Sequence, residues 1–247
     1  MDAVDFERRA QTNIRLYRQL AAAGYGSDDL GRVRDAYALA TTLFASQLRP
    51  EGRPFLCHLV GVASILALVD APASAVIGGL LHSAYSHGDF GHGPGHVMDA
   101  ARRQVRAVVG EEVDRLLTCY SRYPWNARTV DAWLAHPAAL EPDTRQIAVI
   151  RLADTLEDTL DHGLELSAKA SNPHRAVAVE RVVALADAMG YPSLGSALEQ
   201  LGAATIRPEL LTLRERHAGS YVVGPSSWRE KTLPRLMRFV RRARARE

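Results

Sequence analysis

The most apolar stretch of this sequence constrains the fold more than any other feature. It runs from Leu59 to Leu81 and is interrupted by Asp70, Pro72 and several glycines. A membrane-spanning helix needs about 20 consecutive apolar residues, so an interrupted stretch does not fit one. We interpret it as two helices buried in a protein core, at 55–69 and from 71 to about 85.

Helical periodicity continues through the rest of the chain. The glycines at 24 and 26 end the first predicted helix, and a strand is suggested only around Tyr221–Val223. The sequence therefore predicts an all-α fold, a bundle of helices. The other predicted helices are 4–23, 28–47, 97–109, 111–122, 128–136, 142–162, 174–189, 193–201, 206–216 and 228–244.

The length of 247 residues suits one large domain with small appendages. We divide the chain into an N-terminal helix at 1–27, a main helical domain at 28–190 and a helical extension at 191–247. Basic residues outnumber acidic ones from Arg229 onward. Such a tail can bind phosphates, nucleic acid or an acidic partner. We interpret it as a solvated helix and do not expect nucleic acid as a partner.

Cysteine content and the N-terminal residues indicate the compartment. The two cysteines, Cys57 and Cys119, cannot form a disulfide framework, and the net charge is only +2. The N-terminal residues show no signal-peptide pattern. We therefore expect a protein of the reducing cytoplasm, with no membrane association.

Three potential metal ligands lie on three predicted helices. His58 is near the start of one apolar helix, His82 is near the end of the next, and Asp154 lies on the helix at 142–162. A buried carboxylate is costly unless it is paired or bound to a metal. Two imidazoles and one carboxylate suit one divalent ion such as Mn, Zn or Fe. The alternative is that these are hydrogen-bonded core residues.

The same segments resemble a known family. Residues Arg53–Ala63 resemble the first-histidine helix of the HD-superfamily hydrolases, and are closest to the branch that contains the stringent-response alarmone hydrolases. Residues Ala75–Ser83 resemble the helix that ends in the His-Asp pair, and Arg151–Asp154 resembles the segment of the last metal-binding aspartate. The resemblance covers about 30–165. It implies an HD-type helical domain and a metal-dependent hydrolase of a phosphorylated small molecule or nucleotide.

The chain departs from the family at the second residue of the His-Asp pair, which here is Ser83. A neutral serine is a poor ligand for a divalent ion, so we expect one metal ion at most. The branch has an acidic pair a few residues later, where this chain has Ser86 and His87. His87 or Asp89 could supply a further ligand from the glycine-rich segment at 86–96. We predict that this segment is a loop covering the pocket.

Position and resemblance suggest further site residues. Glu157 and Asp158 are candidates for steering a catalytic water, and the alternative is that both face solvent. Arg53 could clamp a phosphate, as the equivalent basic position does in the branch, or be a loop charge. Ser83 and His87 complete the predicted substrate contacts. An aromatic group could line the pocket, although ordinary packing is favoured for it: Tyr120, Tyr123 and Trp125.

Three functions stay open, and the sequence does not decide whether the chain is an enzyme. The first is the metal-dependent hydrolase. The second is an HD-like protein that has lost hydrolysis and binds a ligand or supports a partner enzyme; Ser83 favours it. The third is a non-hydrolytic enzyme that catalyses an elimination or cyclisation in secondary metabolism. Fold alone does not choose among them.

Overall fold

The computed structural model describes residues 4–90, 99–160, 166, 177–203, 206–213 and 221–222. Helices dominate these residues, which confirms the predicted all-α class. Two short strands pair with each other. The elements are α1 (Asn13–Ala22), α2 (Ser27–Phe44), β1 (Gln47–Leu48), α3 (Phe55–Leu68), α4 (Ala73–Leu81), α5 (Ala84–His87), α6 (Asp99–Arg122), α7 (Ala127–Ala135), α8 (Pro142–Thr159), α9 (Val179–Met189), α10 (Pro192–Gly202) and β2 (Tyr221–Val222).

The centre of the bundle is the pair of apolar helices α3 and α4, which are buried along nearly their whole length. A helix that is apolar on every side needs neighbours on every side. α3 and α4 therefore pack against each other, and both pack against α2 and α8. Gly79 permits the close approach, because a Cβ there would lie 2.7 Å from a methyl carbon of Leu66. Among the described residues, no helix combines the length and hydropathy needed to cross a membrane.

The chain breaks its helical path directly after His82. The predicted fourth helix ends at Leu81 instead of Tyr85, and the short helix α5 follows. Ser83 lies between the two, with φ −92° and ψ 2°, which is outside the helical region. The prediction of a loop from residue 86 is therefore wrong for residues 86 and 87. Residues 91–96 of the predicted loop lie outside the described part.

Helix α6 changes direction at Gly110, whose φ of 83° favours glycine. The sequence predicts separate helices on either side of this residue. In a straight helix, residues twelve apart are separated by about 18 Å. The kink instead brings Arg102 to Asp114, with 2.8 Å between Nη2 and Oδ2. Arg106 reaches the same oxygen at 2.8 Å, and the Tyr85 hydroxyl donates to Oδ1. We call these four residues the Asp114 cluster.

The C-terminal part packs on the main bundle. Helices α9 and α10 form a hairpin that contacts α8, and Gly190 ends α9 with a φ of 87°. Strand β2 pairs antiparallel with β1, which precedes α3. Residues Tyr221 and Val222 of the predicted extension therefore contact the main domain. The predicted final helix and its basic tail lie outside the described residues.

Several predicted boundaries differ from the structure. The first predicted helix is a 3₁₀ turn at Phe6–Arg8 followed by α1, which starts after the capping residue Thr12. The helix predicted at 206–216 is a 3₁₀ helix at Pro208–Leu213. Of the helix predicted at 174–189, the described part begins at Val179. The first and last of these differences fall at element ends, where sequence signals are weakest, and the second is a change of helix type.

Candidate metal centre

Three buried side chains from three packed helices meet at one point. His58 lies one turn into α3, His82 follows the end of α4, and Asp154 lies on the inner face of α8. The Nε2 of His58 is 3.2 Å from Asp154 Oδ1, and the Nε2 of His82 is 3.5 Å from the same oxygen. The two Nε2 atoms are 3.4 Å apart. The three residues thus form a compact triangle of potential ligand atoms.

The other nitrogen of each imidazole faces an acceptor. His58 Nδ1 is 2.5 Å from Glu157 Oε2, and His82 Nδ1 is 2.8 Å from the carbonyl oxygen of Gly79. These partners assign the proton of each neutral ring to Nδ1. The Nε2 lone pairs then face the centre of the triangle. This is the arrangement of metal-binding histidines, in which the outward N–H is hydrogen-bonded.

The triangle has the dimensions of a metal site. Ligand atoms at about 2.0–2.1 Å from an ion, at tetrahedral angles, lie about 3.3–3.4 Å from one another. The observed separations of 3.2, 3.4 and 3.5 Å agree with this geometry. The buried cluster could therefore hold a divalent ion, and its nitrogen and oxygen donors suit the Mn, Zn or Fe expected from the sequence.

Tyr120 orients the carboxylate of the triangle. Its hydroxyl donates to Asp154 Oδ2 at 2.6 Å, while Oδ1 faces the imidazoles. The Arg151 guanidinium lies over the Tyr120 ring, 3.6 Å from its centroid. Burial raises the pKa of Tyr120 well above its ordinary value, and the charge of Asp154 adds to this rise. The hydroxyl therefore stays protonated and remains a donor. The sequence suggests Tyr120 only as a pocket wall.

Glu157 is fully buried beside His58, so the alternative that it faces solvent is wrong. Arg53 binds this carboxylate in a bidentate manner: Nη1 donates to Oε1, and Nη2 donates to Oε2 at 2.9 Å. Arg9 Nε lies 3.8 Å from Oε1. Burial alone would raise the pKa of Glu157, but His58 and Arg53 outweigh it and lower that pKa. Glu157 is therefore ionised.

Asp158 is also buried, so the solvent-facing alternative is wrong for it too. Arg49 donates to the Asp158 carboxylate, and its Nε donates to Glu51 Oε1 at 2.9 Å. Asp158 Oδ1 lies 3.5 Å from His58 Nδ1. Both candidate catalytic acids thus lie on the Nδ1 side of His58, while the triangle is on the Nε2 side.

The two imidazoles differ in their electrostatics. Burial lowers the pKa of His82 to about 4, so its ring is neutral near pH 7. Burial and the charge of Arg49 also oppose protonation of His58, but the carboxylates of Glu157 and Asp154 outweigh them and raise its pKa. A metal ion binds the deprotonated Nε2, so at His58 it competes with a proton.

The predicted substrate contacts are dispersed around the triangle. Arg53 is engaged by Glu157, and Ser83 is buried at the start of α5. His87 is exposed, with its ring 5.7 Å from that of Phe55. The Phe55 ring also contacts the His58 ring at 5.8 Å. His87 is therefore separated from the triangle by one aromatic ring, and its role as a ligand or substrate contact stays a prediction.

A pocket of about 290 Å³ lies elsewhere in the described part of the chain. It is bounded by the start of α8 and the turn between α9 and α10. Its lining from α8 includes Arg145, Gln146 and Val149. None of the three triangle residues lines this pocket.

Comparisons with known proteins bear on the same region. The sequence model of a family described as a domain of unknown function (DUF6817) matches residues 39–124, which include His58 and His82. A Mycobacterium leprae protein named "Probable GTP pyrophosphokinase" is 25% identical over 199 residues, or 75% of this chain and 22% of that protein. A Streptomyces antibioticus "GTP pyrophosphokinase" is 26% identical over 181 residues, or 73% of this chain and 21% of that protein. The chain spans about a fifth of the length of these relatives.

Proposed function

We propose that this chain is a divergent HD-superfamily protein that hydrolyses a phosphorylated small molecule, with a nucleotide as the substrate class. One divalent ion would be held by His58, His82 and Asp154. The observation that carries the proposal is the triangle, whose separations of 3.2, 3.4 and 3.5 Å match those of metal ligands. The similarity to proteins named GTP pyrophosphokinase supports a nucleotide and makes GTP the first substrate to test.

The chain's own residues have distinct tasks in this proposal. His58 and His82 present Nε2 lone pairs, and Asp154 adds a negatively charged carboxylate, which the Tyr120 hydroxyl orients. A bound divalent ion lowers the pKa of a water molecule and polarises a phosphoryl oxygen. Arg53 donates to Glu157 and Glu51 and could use its remaining guanidinium N–H groups to bind phosphate, since an Arg side chain has five donors. Ser83 and His87 remain predicted substrate contacts.

The test is metal-dependent hydrolysis. Protein stripped with a chelator is supplied with Mn²⁺, Zn²⁺ or Fe²⁺, and phosphate release from GTP and other nucleotides is measured. We expect activity to return with one of these ions, to be absent in His82→Ala and to be retained in His136→Ala. His136 is an exposed histidine and serves as the matched control. Equal hydrolysis by the native protein and His82→Ala would contradict the proposal.

A second candidate is an HD-like protein that has lost hydrolysis and binds a ligand or supports a partner enzyme. Two observations favour it: Ser83 offers no carboxylate, and Arg53 and Arg49 engage Glu157 and Asp158. In that case the native protein would hydrolyse none of the nucleotides. His82→Ala would leave the affinity for the ligand or partner nearly unchanged, because the metal centre would have no part in binding.

A further inference from the structure

We propose that Glu157 is a positioning residue for the metal centre, and that through His58 it supplies the negative charge that Ser83 does not provide. The inference rests on the proposed metal site and concerns how this chain holds an ion without the second residue of the His-Asp pair. Ser83 adjoins His82 in the sequence, whereas Glu157 approaches from α8 on the far side of the His58 ring.

The contact between Glu157 and His58 is the first support. The carboxylate accepts from Nδ1 at 2.5 Å, which fixes the ring orientation that points Nε2 at Asp154. At the corresponding position of His82, the acceptor is the neutral carbonyl of Gly79. An ionised acceptor makes the opposite nitrogen a more basic ligand than a neutral acceptor does. His58 is therefore the stronger of the two imidazole ligands.

The surroundings of Glu157 are the second support, because they keep it ionised and in place. Arg53 holds both carboxylate oxygens, and buried Arg9 lies 3.8 Å from one of them. A buried carboxylate with such partners retains its charge. The negative charge is thus fixed at the hydrogen-bonded edge of His58.

The third support is Gly61, one turn after His58 on α3. A Cβ at this position would lie 2.6 Å from Glu157 Oε1 and 2.8 Å from its Cγ. The carboxylate therefore occupies space that a side chain at residue 61 would fill. Residues three apart share a helix face, so α3 presents both the imidazole and the space for its carboxylate partner.

The experiment measures Zn²⁺ affinity by competition with a fluorescent chelator. Glu157→Gln keeps the shape and an acceptor but removes the charge, and we expect it to weaken Zn²⁺ binding by about 10–100-fold. Asp114→Asn is the matched control, because Asp114 is also a buried carboxylate held by two arginines. It should leave the Zn²⁺ affinity unchanged.

A second pair of variants keeps the test decisive if Glu157→Gln does not fold. Gly61→Ala displaces the Glu157 carboxylate without removing its charge, and we expect weaker Zn²⁺ binding. Gly31→Ala is its control, because a Cβ there meets no atom within 4 Å. The Nδ1 proton resonance of His58 in the zinc-loaded protein gives a further readout. It should lie far downfield in the native protein and move upfield in both site variants.

The outcomes separate this inference from the proposed function. Native affinity and an unshifted Nδ1 resonance in Glu157→Gln, or in Gly61→Ala if the former is unfolded, would overturn the role of Glu157. The proposed hydrolysis would be unaffected by that result. The expected loss of affinity in a protein that hydrolyses no nucleotide would support Glu157 and refute the hydrolase. A native protein that binds none of Zn²⁺, Mn²⁺ and Fe²⁺ would overturn both.

Discussion

Two buried aspartates, Asp114 and Asp154, have similar surroundings but different nitrogen-bearing partners. Each is almost fully buried, and each accepts a hydrogen bond from a tyrosine hydroxyl, Tyr85 or Tyr120. Two arginines hold Asp114, whereas two imidazole nitrogens face Asp154. A guanidinium is always charged, but an imidazole Nε2 needs a proton or a metal ion to become an electrostatic partner.

The difference explains how one fold uses the same acid in two ways. The Asp114 cluster carries its own positive charge, so it braces the two halves of α6 across the kink at Gly110. The triangle presents lone pairs and a carboxylate to one point, which favours an added cation. The comparison therefore assigns a structural role to Asp114 and a binding role to Asp154.

The largest expected effect is on stability. Asp114→Ala removes the shared partner of Arg102 and Arg106, and we expect a loss of about 3 kcal/mol in the free energy of unfolding. This loss is at the low end of those that follow the removal of one partner of a buried ion pair, because both arginines are partly exposed to solvent. Asp154→Ala should cost less in metal-free protein, because both imidazoles can remain neutral. Urea denaturation measures the free energy of unfolding of both variants. An equal loss at Asp114 and Asp154 would contradict the different roles assigned to the two aspartates.

An intermediate effect is expected from restoring a carboxylate beside His82. Ser83→Asp should tighten Zn²⁺ binding by about tenfold, or about 1.4 kcal/mol, if the side chain reaches the triangle. It should also destabilise the metal-free protein, because it adds a negative charge near Asp154. Ser83→Asn has nearly the same shape without the charge and should not tighten binding. Isothermal titration calorimetry measures the Zn²⁺ affinity of the native protein, Ser83→Asp and Ser83→Asn. An equal rise in affinity in both variants would show that the binding does not depend on an added charge at residue 83.

The smallest expected effect is a pH dependence. Burial alone would raise the pKa of Asp114, but hydrogen bonds from Arg102, Tyr85 and Arg106 lower it below the ordinary 3.8. As the pH falls, the unfolded chain takes up this proton first, so the contribution of Asp114 is present above pH 3.8 and is lost below it. Asp114→Asn should flatten the decline in stability that thermal melts show as the pH falls below 3.8. An unchanged slope would contradict the role of its ion pairs.

The sequence predicts the parts of the site that depend on local pattern. The composition of α3 and α4 identifies the buried helices, and the resemblance selects His58, His82 and Asp154, which the structure brings together. Their roles as metal ligands stay predictions.

The missed features depend on tertiary packing. Arg102 reaches Asp114 only because Gly110 kinks α6. Glu157 meets His58 only because that face of α8 packs on α3, and periodicity alone did not decide between burial and exposure for it. Gly61 was an available signal, because a glycine one turn after a histidine within an apolar helix indicates a close approach there.

The central claim is that the triangle binds a single divalent ion, and calorimetric titration with Zn²⁺ tests it most directly. The proteins to compare are the native chain, Asp154→Asn and Asp114→Asn, each freed of metal beforehand. We expect one site per chain in the native protein and in Asp114→Asn, and none in Asp154→Asn. Two tightly bound ions in the native protein, no binding at all, or unchanged binding in Asp154→Asn would contradict the account.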